Sequence, residues 1–345
     1  MTSGGAVIDV LVAGGGPAGL ATAIRCAQAG LSVTVAEPRT GPVDKACGEG
    51  LMPGAVSRLA ELGVHPAGVP FRGIRYLSPR CQADAPFRHG AGLGVRRTTL
   101  HAALSERVAA LAIPVLPARI TEFAQDEAGV SAAGLRVRYL VAADGLHSGI
   151  RRACGLDPRA ARQPRYGLRR HYRLAPWADL VEVYWAAGSE AYVTPVAAGL
   201  VGVAVLGGSG SFDDRLAAFP ALRERLGGAA PASSVRGAGP LRQDVRHRVA
   251  GRVLLVGDAS GYLDALTGEG IGMALAQAAA LADCVAAGRP GEYERAWRRA
   301  SRRARVLTTG LLWSRNQPLL GPRIVPAAGR LPWLFTGIVN QVARA

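Results

Sequence analysis

Residues 8–19 read IDVLVAGGGPAG, from Ile8 to Gly19. Ile8, Val10 and Val12 alternate in a β-rich run, and Gly14, Gly16 and Gly19 give the spacing GxGxxG. From Pro17 to Ala29, Leu20, Ile24 and Ala27 recur at helical spacing until Gly30 stops the pattern. Leu31 to Val35 reads as a second buried strand, with Glu37 just past its end. In a strand–turn–helix unit of this kind the first glycine makes the tight turn and the second lets the backbone approach a pyrophosphate. The third lets helix and strand pack closely. The helix start at Pro17-Ala18 then faces phosphate charge, and Glu37 is placed to accept hydrogen bonds from an adenosine ribose. This unit says dinucleotide; it does not separate FAD from NAD.

A second stretch, RVLLVGDASGYLDALTGEGIG from Arg252 to Gly272, repeats the logic. Val253 to Val256 is wholly apolar, as in a central parallel strand. Gly257-Asp258 then turns the chain, with Asp258 able to hold a ribitol hydroxyl. Gly268, Glu269, Gly270 and Ile271 form a glycine-rich entry to a helix over Met273–Ala287. Amides at that helix start suit a pyrophosphate or the flavin edge that gathers negative charge on reduction. Two such units in one chain imply a whole FAD gripped from both ends.

Between them lie three weaker signals. Pro38 to Gly54 is rich in glycine and proline, so it reads as a loop that leaves the ribose end at Pro38-Arg39 and runs along the cofactor. Within it, Cys47, Gly48, Glu49 and Gly50 set a thiol, a carboxylate and flexible backbone where a flavin ring would sit. Cys47 also reads as a small buried residue, and Glu49 as a brace for the loop. A helix is expected from Thr98 or Thr99, its core face formed by Leu100, Leu104, Val108 and Leu111. Arg97 is favoured over Arg96 for reaching a pyrophosphate or the flavin edge. Last, Tyr139–Ala143 reads as a strand ending in Asp144-Gly145, with Ser148 opening a helix; alone, that is ordinary turn chemistry.

Composition bounds the rest. A chain of 345 residues, 49% hydrophobic and 19% charged, is folded and large enough for two joined domains. No long uninterrupted apolar run calls for a spanning helix, and no basic residue precedes the first apolar run as in a secretory leader. Five scattered cysteines with no CxxC pair argue against zinc and disulfides and fit a reduced cytoplasm. The net charge of +16 is almost all arginine, Lys45 being the only lysine, which fits GC-rich coding as well as an anionic partner. No nucleic-acid-binding motif accompanies it. Arginines recur through residues 295–305, and short apolar patches at Leu311–Trp313 and Pro332–Phe335 follow. These read as a solvated helix face and core closure, or as a rim that receives a greasy substrate at a membrane surface.

In order, GxGxxG with Glu37, Asp144-Gly145 and Gly257-Asp258 resemble the para-hydroxybenzoate hydroxylase superfamily of FAD-dependent monooxygenases and their geranylgeranyl reductase relatives. The resemblance covers Ile8 to about Ala287. CGEG at Cys47 and LTGEGI at Leu266–Ile271 lean toward the reductase branch. That branch usually has proline at Ala265 and a Y-x-W-x-F-P strand. Here EAYVTP keeps only Pro195 and puts Tyr192 at the tryptophan position. The tryptophan signature of flavin halogenases is absent, which argues against halogenation.

The resemblance implies an α/β fold: a Rossmann-like FAD-binding domain, an inserted antiparallel β-sheet substrate domain and C-terminal helices. Residues 1–75, 92–160 and 246–288 are expected to form the first, 76–91 and 161–245 the second, and 289–345 the third. Expected strands at Tyr166–Tyr172, Val181–Trp185, Ala191–Val196 and Val201–Leu206 supply the substrate sheet, one face apolar. The expected activity is NAD(P)H-driven FAD chemistry on a small lipophilic substrate. Monooxygenation of an aromatic or polyketide-type compound with O2 comes first and reduction of isoprenoid double bonds second. Cys47, Glu49 and Tyr192 are the catalytic candidates. The rival outside enzymology is a nucleotide-binding module without turnover.

Overall fold

The computed structural model describes residues 7–158 and 164–344. The chain enters through β1 (Ile8–Ala13), α1 (Pro17–Gln28) and β2 (Val33–Ala36), followed by α2 (Pro53–Glu61). A pair of strands, β3 (Gly73–Ser78) and β4 (Cys81–Pro86), precedes α3 (Arg97–Ala110), β5 (Leu135–Ala142) and the short α4 (Gly149–Ala153). Four long strands come next: β6 (Tyr166–Arg173), β7 (Val181–Ala186), β8 (Ser189–Ala197) and β9 (Leu200–Gly207). The chain closes with β10 (Val253–Leu255), α5 (Gly270–Ala286), α6 (Tyr293–Asn316), α7 (Ile324–Arg330) and α8 (Pro332–Ala343).

The first sheet orders its central strands β10-β5-β1-β2, all parallel, so both late and early units feed one sheet. Its strands are buried on both faces. Val10, Val12, Val35, Val141 and Leu254 pack under α1, α3 and α5, while Leu11, Leu140 and Leu255 meet a second cluster that includes Ile150. Gly14 sits at φ +114, where a Cβ would come within 2.5 Å of the Ala143 carbonyl oxygen. At Gly19 a Cβ would lie 1.8 Å from the Gly14 carbonyl oxygen. The first and third glycines therefore serve close packing of turn, helix and neighbouring strand.

The second sheet runs β6-β9-β8-β7-β3-β4, antiparallel except for β7 beside β3. Alternation along Val181–Trp185 reads as one apolar face, and Val181, Val183 and Trp185 form it, but the opposite face is covered as well: all five residues are buried. Val183 and Trp185 face the cluster completed by Val325, Phe335 and Val339, whereas Tyr184 joins Val203, Phe212 and Leu222 on the opposite side. Glu182 survives burial because Trp177 Nε1 (2.9 Å) and the Tyr184 hydroxyl (2.8 Å) donate to it and Arg225 lies 3.2 Å away.

The C-terminal helices roof the apolar face of this sheet. Tyr76 of β3 stacks obliquely on Trp185 and on Phe335 of α8, with centroids 5.1 and 4.6 Å apart. Arg315 of α6 bonds the fully buried Glu190 of β8, which Arg165 also contacts at 2.7 Å; Arg165 in turn reaches Asp264 at 2.9 Å. Buried charge is thereby balanced as it pins α6 to the sheet. Among the described residues no helix is long and apolar enough to cross a membrane.

Candidate functional site

One cavity of about 1270 Å³ runs between the two sheets and out under the C-terminal helices. It exceeds the roughly 300–1,000 Å³ of an ordinary ligand site, leaving room for a large cofactor and a substrate together. Both glycine-rich stretches open onto it: Gly16, Pro17 and Ala18 from the first, Gly257, Asp258, Gly268, Gly270 and Ile271 from the second. They touch each other as well. Gly257 has φ +61, and a Cβ there would come within 2.6 Å of Ala18 Cβ. Asp144, Gly145, Arg97 and the loop of Cys47, Gly48, Glu49 and Gly50 complete this end of the lining, and Tyr192 lies further along it.

One end of the cavity is built from backbone and arginine. The start of α1 has no side-chain cap, so its first amides are available to an anion. A Cβ at Gly16 would meet only Arg97 Nη2, 3.9 Å away, and Arg97 Nη1 is buried without a partner. A buried guanidinium with an unused donor beside an uncapped helix fits a pyrophosphate. Lys45 adds a second cation, its Nζ 3.3 Å from where a Gly145 Cβ would stand. Burial lowers the Lys45 pKa, as do Arg39 and Arg97, while Asp258 opposes the shift. Asp258 is exposed to the cavity, where desolvation raises its pKa against the pull of Lys45, Arg97 and Arg151.

Glu37 lies just behind the turn. Its carboxylate accepts from the Gly15 amide (2.7 Å) and from Arg39 Nε and Nη2 (2.7 and 2.8 Å). Burial opposes ionisation, but the Arg39 and Gly15 donors outweigh it and hold the pKa at about 2. Pro38 and Arg39 are exposed at the same end. His101 of α3 braces the turn from below, with Nε2 2.8 Å from the Gly15 carbonyl, and burial lowers its pKa. A neutral ring with its proton on Nε2 satisfies that contact.

At the other end, Glu49 adopts φ +59, a left-handed conformation that costs a non-glycine residue energy unless its surroundings hold it. They do. Oε1 accepts the Arg97 amide at 2.8 Å and Oε2 meets His171 Nε2 at 2.6 Å. Arg169 Nη1 and the Ser233 hydroxyl contact His171 Nδ1 at 3.1 and 2.9 Å, which places the ring proton on Nε2, toward Glu49. Glu49 thus caps α3 from a distant loop, and α3 starts at Arg97, earlier than the threonines anticipate. Thr194 of β8 adds a 2.7 Å bond to the Gly48 carbonyl. The loop is strapped to the second sheet, and the Glu49 carboxylate is spent on the strap.

Cys47 is half-buried on the cavity wall; desolvation raises its pKa, with Arg97 pulling the other way, so it is a protonated thiol near neutral pH. Tyr192 donates to the Leu266 carbonyl at 2.7 Å, and burial pushes its pKa well above the ordinary phenol value. Ser148 is fully buried and caps α4 through the Arg151 amide at 2.9 Å, away from the cavity. Glu269 also leaves it. The side chain borders a void of about 10 Å³ shared with Ala55 and Val342, and its carboxylate has no well-formed hydrogen bond. Burial raises the Glu269 pKa to about 7, offset only in part by Thr267, Arg303 and Arg58. Residues that sequence reasoning did not single out here are Lys45 as a cavity cation, His101, the Arg169–His171 pair, and Tyr262, whose ring lies 3.3 Å from a Gly270 Cβ position.

The raised Glu269 pKa has a testable sign. A carboxyl that is easier to protonate when folded contributes stability below about pH 4.5 and loses it as the pH rises through about 7. Glu269→Gln is therefore expected to melt above the parent at pH 8, by the equivalent of about 3 kcal/mol, and level with it at pH 4.5. Thermal melts at saturating FAD across that range check this; a constant offset would remove the buried acid.

Residues 7–169 match a family model described as FAD binding domain. Over 56 residues the chain is 52% identical to a menaquinone reductase of Mycobacterium tuberculosis, covering 16% of this chain and 14% of that protein. It is 27% identical over 296 residues to a dialkyldecalin synthase of Streptomyces rugosporus, covering 78% of this chain and 63% of that one. The matches thus span less than two thirds of these relatives' own lengths. Among solved structures, a flavin-dependent brominase superposes with a TM-score of 0.82 at 19% identity, covering 98% of this chain and 94% of that chain, a likeness of fold. Residues 7–169 thus carry an FAD-binding domain, and the likeness to the brominase is one of fold.

Proposed function

We propose that this enzyme takes electrons from NAD(P)H and hydroxylates a lipophilic aromatic or polyketide-type substrate with O2. One observation carries the substrate class. Where α6, α7 and α8 line the cavity they contribute Leu307, Leu311, Ala328, Phe335 and Val339 among others, and none of their charged side chains. Yet residues 295–345 hold ten arginines and no acidic residue. Keeping every one of those arginines off the lining leaves an apolar arm that suits a long hydrocarbon.

When bound, FAD supplies two-electron redox chemistry at its flavin ring. The chain's own residues bind and orient. Arg97, Lys45 and the uncapped start of α1 neutralise the pyrophosphate, and Asp258 suits the ribitol. The strapped Cys47–Gly50 loop and the start of α5 would hold the ring end. Tyr192 positions the Leu266–Gly270 turn through its bond to Leu266. The roof of α6 to α8 keeps water from the reacting end. NADPH oxidation is expected to consume oxygen and to accelerate at least tenfold with a long-chain alkylphenol. Acceleration only by short, charged phenols would overturn the substrate class.

A second reading, reduction of an isolated double bond, is favoured by Cys47: a half-buried, protonated thiol on the cavity wall could give up a proton to the substrate. The name of the menaquinone reductase points the same way for its own chain. Saturated product from a polyprenyl substrate under strict anaerobiosis would put this reading first.

A further inference from the structure

We infer that the C-terminal helices dock on an anionic phospholipid bilayer, placing the mouth of the apolar arm against the lipid. Among the described residues, eight of the ten exposed large hydrophobic side chains fall between Val306 and Ile338; only Val7 and Val115 lie elsewhere. Trp313 and Trp333 are 60% and 68% exposed, and Leu319 is 71% exposed. Scattered exposed leucines need no explanation, but a concentration of this kind with two tryptophans marks a contact surface.

Its position gives the contact a purpose. Val306, Leu331, Leu334 and Ile338 are exposed and also line the cavity, so the patch surrounds the mouth. Along α6, Gly310 and Trp313 follow Val306 at four and seven residues, on the same helix face. The sources of charge select the partner. Arg302, Arg323 and Arg330 are exposed, none is paired with a carboxylate among the described residues, and no acidic residue follows Glu294. A second copy meeting this face would set arginine against arginine, and a nucleic acid would leave the tryptophans and leucines without apolar company. Apolar side chains among unpaired arginines match the headgroup boundary of an anionic bilayer.

The inference rests on the apolar arm being the substrate's path, but its test needs no turnover. The FAD-loaded full chain is sedimented with phosphatidylcholine vesicles, or with vesicles in which about one third of the lipid is phosphatidylglycerol. Co-sedimentation with the anionic vesicles only, weakened by salt and at least tenfold lower for Trp313→Ser/Trp333→Ser and for Arg323→Glu/Arg330→Glu, is the expected result. Neither tryptophan lines the cavity, and both are exposed, so flavin content and melting temperature confirm that those variants fold. Absence of binding to either vesicle, or equal binding by the tryptophan variant, overturns the proposal. So does a stable dimer that Trp313→Ser/Trp333→Ser dissociates, since the patch would then face a second copy. Should vesicles bind while lipophilic substrates give no turnover, the substrate reading fails and the docking surface stands.

Discussion

Replacing Gly16 with valine is expected to give a folded protein that purifies colourless. Gly16 lies at φ −73 and ψ 175, extended backbone that a β-branched residue adopts readily. Its Cβ would have nothing closer than Arg97 Nη2 at 3.9 Å, so the unliganded fold has room for the side chain. What the valine removes is close approach to the start of α1, where the proposed site would hold the phosphates. A loss of FAD affinity of about 100-fold or more, roughly 3 kcal/mol, follows. Gly19→Ala is the contrasting variant: its Cβ would meet the Gly14 carbonyl oxygen at 1.8 Å, so helix and strand must separate. It is expected to lose roughly 3 kcal/mol or more of stability, and with it soluble protein. Absorbance near 450 nm and melting temperature, measured on both, separate the two roles. A yellow Gly16→Val protein would mean that the phosphates lie elsewhere.

The second large effect concerns the apolar arm. Leu311→Asp puts a carboxylate into the lining between α6 and the substrate sheet, where Leu311 is only half-buried, so folding is preserved. A lipophilic substrate would have to desolvate that charge or leave it unpaired, which costs several kcal/mol. The expected outcome is a fall in kcat/KM of about 100-fold with flavin content unchanged. Unchanged kinetics would take the substrate out of this arm.

The two nucleotide units were readable because their signals are local. A positive φ at Gly14 and Gly257, and a helix that must pack against its strand at Gly19, force glycine where it stands. The place of Arg97 on the cavity wall was readable to within a residue or two, since a periodic helix begins there. The strap that holds the Cys47–Gly50 loop was not readable. Glu49 and His171 are 122 residues apart, and nothing near either announces the other. Sequence pattern also left Glu49 open between chemistry and bracing; only the carboxylate's two partners point to bracing. Glu269 and Ser148 sit in cofactor-like motifs, yet their side chains turn to a buried void and a helix cap. Motif spacing specifies where backbone must pass, and side-chain direction is left to packing. The second sheet teaches the same point. Alternation along Val181–Trp185 predicts one apolar face, and says nothing of the helices formed by Phe212–Leu216 and Pro220–Leu226 that cover the other.

The convergence of residues 8–19 and 252–272 on one cofactor is tested most directly by a density map of the protein loaded with FAD. The account predicts a single FAD with its pyrophosphate beside Gly16 and Arg97, its ribitol at Asp258 and its ring between Cys47–Gly48 and the start of α5. A cofactor that touches only one of the two stretches, or lies outside the shared cavity, would contradict it.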